Sequence, residues 1–391
     1  YTGKTRKRIG TTPEYLSNAY IDRFRDVLET ARELDMQVVL YDDNDFPSGM
    51  AGGRMEALHR EQTMKKLVKT ERAFSGPQEI NDPVPDGALM AVVAMNSETK
   101  DRIELSQQIK GSTLPWQVPP GDWAVMYFTL ELYGSHKSYL VTDFLDPEAA
   151  STAIGYTYEA YYREFKEYFG NTIQISFYDD VGFWRFPKAW TTRFNETFVE
   201  LHGFDPKPWY PALWYHVGEH TEAVRNAFFY TRAELLAEGY PKVVRDWAVE
   251  HGLRTTGHPP GNYGPTPIDM NGDIFKFYRY TDIPLTDSII AYQHGQHGFK
   301  LITSAADYYD RPVVATEVYG AYRESTLDSR MLYRSVFDLF ARGVNFVITH
   351  AMWYDPNTVR IPPLVSTANK KISEELPAYS DFTGRACSIL R

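Results

Sequence analysis

The chain has 391 residues, enough to bury one large core and carry an insertion. Its net charge of −10 argues against nucleic acid as a partner, and no apolar run reaches the length that a membrane helix needs. Cys387 is the only cysteine, which excludes an internal disulfide and a cysteine-based metal site. Aromatic residues make up 15% of the chain, and aromatic rings suit carbohydrate sites, although most such rings pack in a core.

Apolar spacing predicts helices and strands that alternate through most of the chain, which is typical of a parallel α/β fold. Helices are predicted over 14–35, 54–72, 148–169, part of 222–251, 294–309, 327–342 and 368–390. Strands rich in β-branched and aromatic residues are predicted to end near 41, 178, 257, 287, 316 and 349.

Residues 84–142 interrupt this alternation. The stretches Leu89–Met95, Arg102–Leu105 and Trp123–Leu132 alternate in the manner of β-strands and are punctuated by proline and glycine. We therefore predict a small inserted antiparallel module. The domains are expected to be 1–83 (first part of the main fold), 84–147 (inserted β-rich module) and 148–391 (remaining strands and closing helix).

Three of the predicted parallel strands end on carboxylates: Asp42-Asp43, Asp179-Asp180 and Glu317. In a (β/α)8 TIM barrel the carboxyl ends of the strands form the catalytic rim, so acids collected there indicate an acid/base pocket that binds a polyol. Capping and solvation explain many such acids taken singly. Only six parallel strands are found. The prediction is therefore an α/β TIM barrel whose first two strands lie upstream of Tyr1.

Several short segments, in order, resemble glycoside hydrolase family 106, the α-L-rhamnosidase-like barrels, over most of residues 10–391. The first is Leu40 to Gly53, which is similar to the family's Leu-Tyr-Asp-Glu strand end followed by Pro-Ser-Gly and Ala-Gly-Gly. The others are Trp116 to Trp123, Asp143 to Ala149, Phe177 to Asp180, Thr316 to Gly320, and Gly343 to His350.

The resemblance implies a glycosidase that cleaves an α-L-rhamnoside or related linkage in an oligo- or polysaccharide. In many barrel glycosidases the acid follows strand four and the base follows strand seven, and these positions correspond to Asp180 and Glu317. The resembled family inverts, so a wide separation of these carboxyl groups is expected. We expect a secreted or periplasmic bacterial protein, although no signal peptide is visible in the sequence. The resemblance also implies Ca²⁺ as a candidate cofactor, with its ligands left open.

Other rim residues are candidates for binding the sugar. The loop formed by Asp42, Asp43, Asn44 and Asp45 offers oxygens to hydroxyl groups or to Ca²⁺, although its spacing is not that of an EF-hand. His258 and His350 end strands, and neither lies in an HExxH motif, which argues against zinc. The full set of predicted substrate-binding residues is Asp42, Asp43, Asn44, Asp179, Trp184, His258, Asn262, His350 and Trp353.

Two alternatives stay open. Asp180 and Asp43 stand where the resembled family has glutamate, which favours a carbohydrate-binding barrel that has lost hydrolysis. A metal-dependent hydrolase using Asp42, Asp43 and the rim histidines is the other alternative. A serine hydrolase is disfavoured because the chain has no Gly-x-Ser-x-Gly segment.

Overall fold

The computed structural model describes residues 13–134, 139–184, 188–260, 267–289, 299–320, 327–353, 355–357, 359 and 361–391. Its strands are β1 (Val38–Tyr41), β2 (Lys65–Pro83), β3 (Ala88–Asn96), β4 (Arg102–Glu104), β5 (Thr113–Leu132), β6 (Ile173–Tyr178), β7 (Ala189–Trp190), β8 (Arg254–Gly257), β9 (Ile283–Asp287), β10 (Ala315–Val318) and β11 (Phe346–Thr349).

The helices confirm most of the predicted helical stretches. They are α1 (Asn18–Glu33), α2 (Arg54–Leu58), α3 (Pro147–Tyr156), α4 (Tyr158–Phe165), α5 (Phe194–His202), α6 (Thr221–Glu238), α7 (Tyr240–Glu250), α8 (Ile268–Asn271), α9 (Ile274–Tyr278), α10 (Phe299–Tyr308), α11 (Ser329–Ala341) and α12 (Leu376–Leu390). None of these described helices is long and apolar enough to cross a membrane.

The six predicted parallel strands form one sheet in the order β1-β6-β8-β9-β10-β11. Every neighbouring pair in it is parallel, so all six carboxyl ends lie at one edge of the sheet. The prediction of a closed (β/α)8 TIM barrel is nevertheless wrong. Closure requires every strand to have two neighbours. Within the described ranges β1 and β11 each pair on one side only, so the sheet is open and half-barrel-like.

The second sheet is antiparallel, in the order β4-β3-β5-β2-β7, and contains the strands predicted for the inserted module. The predicted helix over 54–72 is wrong beyond its first turns, because α2 ends at Leu58 and β2 begins at Lys65. Charged residues in this stretch have good helix propensity, but β2 pairs with β5 along almost its whole length. Tertiary pairing therefore decides the local structure.

The largest hydrophobic cluster takes residues from both sheets, among them Met126 and Phe128 of β5 and Tyr178 of β6. The antiparallel sheet also extends past both predicted domain boundaries, because β2 starts at Lys65 and β7 lies at Ala189–Trp190. The two sheets thus share one core. The division at residues 83 and 147 stays a prediction.

Strand periodicity puts the acids at the rim on one face of the parallel sheet. Successive strand side chains point to opposite faces, so residues two apart share a face. Leu285 and Ala315 belong to a small buried cluster on that face, together with Phe177. Asp179, Asp287 and Glu317 each come two residues after one of these apolar residues. The same alternation that buries the apolar side chains therefore places three carboxyl groups together at the strand ends.

Candidate functional site

The carboxyl edge of the parallel sheet collects acidic and histidine side chains from five neighbouring strands. Parallel register places Asp287 of β9 beside Glu317 of β10. The residues at this rim are Asp179 and Asp180 after β6, His258 after β8, Asp287 at the end of β9, Glu317 within β10 and His350 after β11.

His258 lies at the centre of this group. Its Nε2 is 3.1 Å from Asp179 Oδ1 and 3.8 Å from Glu317 Oε2. Its Nδ1 is 3.4 Å from Asp180 Oδ1. The two predicted catalytic carboxyl groups, Asp180 and Glu317, therefore face different nitrogens of the same imidazole. The structure thus brings Asp180, Glu317 and His258 into one cluster, and the catalytic roles of the two acids stay a prediction.

Asp179 is held from two sides. Tyr41, the last residue of β1, donates its hydroxyl hydrogen bond to Asp179 Oδ2 at 2.7 Å. The backbone N–H of Asp179 donates to Ser48 Oγ at 2.8 Å, and the Ser48 N–H donates to the Asp179 carbonyl at 2.9 Å. Sequence reasoning missed both Tyr41 and Ser48. Ser48 lies in the Pro-Ser-Gly segment, whose regular place in the motif was the available signal.

Asp180 occupies an unusual backbone conformation. Its φ is 52°, in the left-handed region that non-glycine residues seldom adopt, although aspartate tolerates it better than most. Strain of this kind clusters at functional sites. Burial raises the pKa of Asp180 to about 6; His258 opposes the rise, while the nearby Asp179 and Glu317 add to it. A raised pKa suits a carboxyl group that has to keep a proton near neutral pH.

Asp287 is a further acid that the sequence prediction did not include. Only 8% of the residue is exposed, and its Oδ1 accepts a hydrogen bond from the Ile289 N–H at 2.8 Å. Burial raises the pKa of Asp287 to about 8; His258 opposes that rise, and Glu317 adds to it. The strand alternation Leu285, Asp287 was the signal that could have identified it.

Glu317 lies between two imidazoles. On the side away from His258, its Oε1 is 3.8 Å from His350 Nε2. The ring of Trp353 packs edge-on against His350, with 6.0 Å between the ring centroids. Gly320 makes room for this arrangement, because a Cβ there would lie 2.8 Å from His350 Nδ1. The close approach of His350 therefore explains why glycine ends the Thr-Glu-Val-Tyr-Gly segment.

Asp42 lies behind the rim rather than in it. Only 1% of the residue is exposed, and both carboxyl oxygens accept hydrogen bonds. Ser48 donates to Oδ1 at 2.5 Å and Tyr240 donates to Oδ2 at 2.7 Å. Burial raises the pKa of Asp42 to about 8, helped by the charge of Asp43. The chain Asp42–Ser48–Asp179 therefore connects a buried acid to the backbone of the rim.

Asp43 accepts hydrogen bonds from the backbone of the loop that follows it. Its Oδ1 accepts from the N–H groups of Asn44 and Gly52, at 2.9 and 2.8 Å, and its Oδ2 accepts from the Ala51 N–H at 2.7 Å. Burial raises the pKa of Asp43 to about 6, although these backbone donors oppose the rise. Gly52 has a φ of 62°, which explains a glycine in this segment. Asn44 is half-buried beside them.

Two predicted binding residues remain. Trp184 follows Asp180 closely along the chain and is half-buried, with a φ of 52°. Asn262 lies outside the described residues.

The calcium ion that the sequence resemblance implies does not fit the described acidic loop. Ca²⁺ prefers six to eight oxygen ligands. Both oxygens of Asp42 already accept from hydroxyls, and both of Asp43 accept from backbone N–H groups. Among the described residues Asp179, Asp180 and His258 also lie within mutual ligand distance of 4.8 Å. An imidazole facing carboxylates with both nitrogens does not form an oxygen cage.

Comparisons with known proteins identify the family of the chain. A family model described as alpha-L-rhamnosidase, glycoside hydrolase family 106, matches residues 88–372, which is more than half of the chain. The chain belongs to the α-L-rhamnosidase family, glycoside hydrolase family 106. No curated protein sequence matches the chain.

A solved structure of a rhamnosidase from Novosphingobium sp. PP1Y shares the fold, with a TM-score of 0.75 at 16% sequence identity. The match covers 96% of this chain and 54% of that one. The present chain thus spans about half the length of that rhamnosidase.

Proposed function

We propose that this protein hydrolyses an α-L-rhamnoside or a related glycosidic linkage in an oligo- or polysaccharide, using Asp180 as general acid and Glu317 as general base. The observation that carries the proposal is the pairing of these two carboxyl groups on different nitrogens of His258 at the strand ends. Glycoside hydrolysis needs two carboxyl groups placed across the anomeric carbon. Family membership supports the choice of sugar.

Asp180 suits the acid step. Its carboxyl group is largely buried, and the resulting pKa of about 6 keeps part of the population protonated under mildly acidic conditions. In the proposed step the Asp180 proton passes to the glycosidic oxygen as the bond between that oxygen and the anomeric carbon breaks. Asp180 is left as a carboxylate, which the adjacent His258 stabilises.

Glu317 suits the base step. Its side chain is partly exposed, and its two oxygens face His258 and His350. As a carboxylate it takes a proton from a water molecule while that water attacks the anomeric carbon from the face opposite the leaving oxygen. This arrangement inverts the anomeric configuration and needs roughly 6.5–9.5 Å between the carboxyl groups. The imidazole between Asp180 and Glu317 supports the wider spacing.

Aromatic and imidazole groups beside the acids support a sugar ligand. Trp353 packs on His350. Trp184 lies four residues after Asp180 in the sequence. We propose that both indole rings stack on sugar C–H faces and that His350 bonds a hydroxyl group.

A panel of nitrophenyl glycosides tests the function. We expect hydrolysis of the α-L-rhamnoside, with Glu317→Gln lowering kcat by on the order of 10²–10⁴ because the base is lost. Glu374→Gln, at an exposed position, is the matched control and should leave kcat unchanged. Survival of activity within about tenfold in Glu317→Gln would contradict the assignment.

The second candidate is a carbohydrate-binding protein without hydrolysis, favoured by aspartate rather than glutamate at position 180. A shorter side chain withdraws the carboxyl group by about 1.5 Å. Binding of a rhamnoside by calorimetry with no turnover of any glycoside would establish this candidate and reject the hydrolase.

A further inference from the structure

His258 is too deeply buried to act on a sugar directly. Only 1% of the residue is exposed, and the edge of its ring packs on Phe177 with 6.0 Å between centroids. Its backbone is fixed to the end of β6, since the His258 N–H donates to the Tyr178 carbonyl at 3.3 Å and the Val181 N–H donates to the His258 carbonyl at 3.1 Å. The imidazole is therefore a rigid part of the scaffold.

The residue before it explains how the ring comes so close to β6. A Cβ on Gly257 would lie 2.2 Å from the Tyr178 carbonyl oxygen and 2.3 Å from Tyr178 Cδ2. Only glycine permits that approach. Gly257 thus lets His258 reach the loop that carries Asp179 and Asp180.

Strand order places His258 between the two catalytic candidates. β8 lies between β6, which leads to Asp180, and β10, which carries Glu317, with β9 next to β10. One ring nitrogen contacts Asp180 at 3.4 Å and the other approaches Glu317 at 3.8 Å. Asp179 Oδ1 also lies 3.1 Å from Nε2, and the Pro259 carbonyl oxygen lies 3.2 Å from Nδ1. The ring thus lies between Asp180 and Glu317 and faces both.

The charges around His258 are predominantly negative. Asp179 and Asp180 face it from the β6 side, Asp287 from β9 and Glu317 from β10. Burial alone would lower the pKa of His258, but these carboxylates outweigh it and raise that pKa well above its usual value. The hydroxyls of Tyr178 and Tyr41 lie in the same neighbourhood, the latter bonded to Asp179. A cation at this point offsets the mutual repulsion of the acids.

We propose that His258 is a positioning residue, which holds the acid and the base at the spacing hydrolysis requires by contacting Asp180 with one ring nitrogen and Glu317 with the other. This inference rests on the proposed function. It gives the imidazole no direct contact with substrate.

The test compares His258→Asn with His220→Asn, a control at an exposed histidine. For His258→Asn we expect kcat to fall by about 10–100-fold, since a displacement of about 1 Å can cost that much, with KM within about threefold. Because His258 lowers the pKa of Asp180, its removal should also move the alkaline limb of the kcat/KM profile to higher pH. A purely structural defect would lower activity without moving that limb. An unchanged kcat and pH profile would overturn the proposal.

A second measurement uses the wild-type protein and needs no turnover. ¹⁵N NMR of the histidine side chains, with the His258 signal identified by its absence in His258→Asn, should show a protonated imidazole at pH 7. A neutral imidazole there would overturn the proposal even if the enzyme is active. A protonated His258 in a protein that hydrolyses no glycoside would instead reject the proposed function and leave the contact geometry standing.

Discussion

At the scale of single residues, burial controls the chemistry of the rim. Asp180 and Asp287 both have a raised pKa because little of either side chain reaches water, and each also feels the charge of Glu317. Carboxyl groups that cannot all ionise together retain protons near neutral pH. A site with several neighbouring acids can therefore supply both an acid and a base.

The pH dependence of kcat/KM tests which acid carries the proton. Asp180 has a pKa of about 6, raised by burial, so the acid form is lost as pH rises through that value. We expect kcat/KM on an unactivated rhamnoside to decline above about pH 6. Asp180→Asn should remove this limb together with most of the activity. A profile that stays flat from pH 5 to pH 8 would show that another group is the acid.

The burial of Asp42 leads to a prediction about the pH dependence of stability. Its pKa is about 8 in the folded protein and near 3.8 for an exposed aspartate, so the folded state holds the proton more tightly. Stability from this group is therefore fully present below about pH 4 and is lost as pH rises towards 8. Relative to Asp42→Asn, the wild type should lose about 2–4 kcal/mol of unfolding free energy between pH 5 and pH 8.

Urea unfolding of both proteins at the two pH values measures this difference. Asp86→Asn, at an exposed position, is the control. Its unfolding free energy should differ from that of the wild type by the same amount at both pH values. A pH-independent difference for Asp42→Asn would mean that Asp42 is ionised in the fold.

The sequence located the acids that directly follow a strand, and their catalytic roles stay predictions. Asp180, Glu317 and His258 are in contact as one cluster, and position in the chain was enough to expect this. Tyr41 and Ser48 were missed because a tyrosine in a strand and a serine in a turn have no chemical signature of their own. Their role depends on which atoms they meet after folding.

At the scale of elements, glycines decide how closely the loops approach the rim. Gly49 has a φ of 88°, and a Cβ there would lie 2.7 Å from Thr142 Cγ2 and 2.9 Å from Phe144 Cε1. The Pro-Ser-Gly segment thus packs against the exit of the β-rich segment. Gly320 likewise lets the chain after β10 approach His350 closely.

Gly320→Ala tests this element-level account. The added methyl group would lie 2.8 Å from His350 Nδ1 and 2.9 Å from Ile289 Cβ, so one of them has to move. We expect the melting temperature to fall by an amount that corresponds to about 1–3 kcal/mol, and kcat to fall about tenfold because Glu317 loses its fixed neighbour. Gly384→Ala is the matched control, since nothing lies within 4 Å of its Cβ position in α12.

Gly384→Ala should keep full activity and gain up to about 1 kcal/mol of stability from the helix propensity of alanine. Full activity in Gly320→Ala would show that His350 is not needed in its present place.

Element prediction failed at 54–72 for a physical reason. The helix was inferred from charged residues of good helix propensity, and α2 ends at Leu58. β2 satisfies its backbone groups by pairing with β5, whose strand is 20 residues long. Such long-range pairing cannot be read from local composition.

At the scale of the whole molecule, the two sheets share one hydrophobic core. Phe128 of the antiparallel sheet packs against Tyr210 and Trp214, with ring centroids 5.2 and 5.4 Å apart. The same cluster includes Tyr178 of β6. A shared core predicts that both sheets unfold together.

Phe128→Ala should lower the unfolding free energy by about 3–5 kcal/mol, because it leaves a cavity in that core. Calorimetry should show a single transition for the wild type and a single transition at lower temperature for the variant. Ile389→Ala, at an exposed position, is the control and should leave the transition temperature unchanged. Two separate transitions would mean that the antiparallel sheet unfolds as an independent unit.

The overall architecture was predicted in part. All six parallel strands were located from their apolar runs, because a buried parallel strand has a strong local pattern. Closure into a barrel has no such pattern, since it depends on which strands meet at the edges. β1 and β11 remain the edges of an open sheet in the described structure, which composition and periodicity do not reveal.

The most direct test of the central claim compares leaving groups. Kinetics of Asp180→Asn and Glu317→Gln are measured on a dinitrophenyl α-L-rhamnoside and on a rhamnose-containing disaccharide. A good leaving group departs without a proton, so Asp180→Asn should keep activity on the activated substrate within about tenfold and lose on the order of 10²–10⁴ on the disaccharide. Glu317→Gln should lose activity on both. Equal losses on the two substrates for Asp180→Asn, or retained activity in Glu317→Gln, would contradict the account.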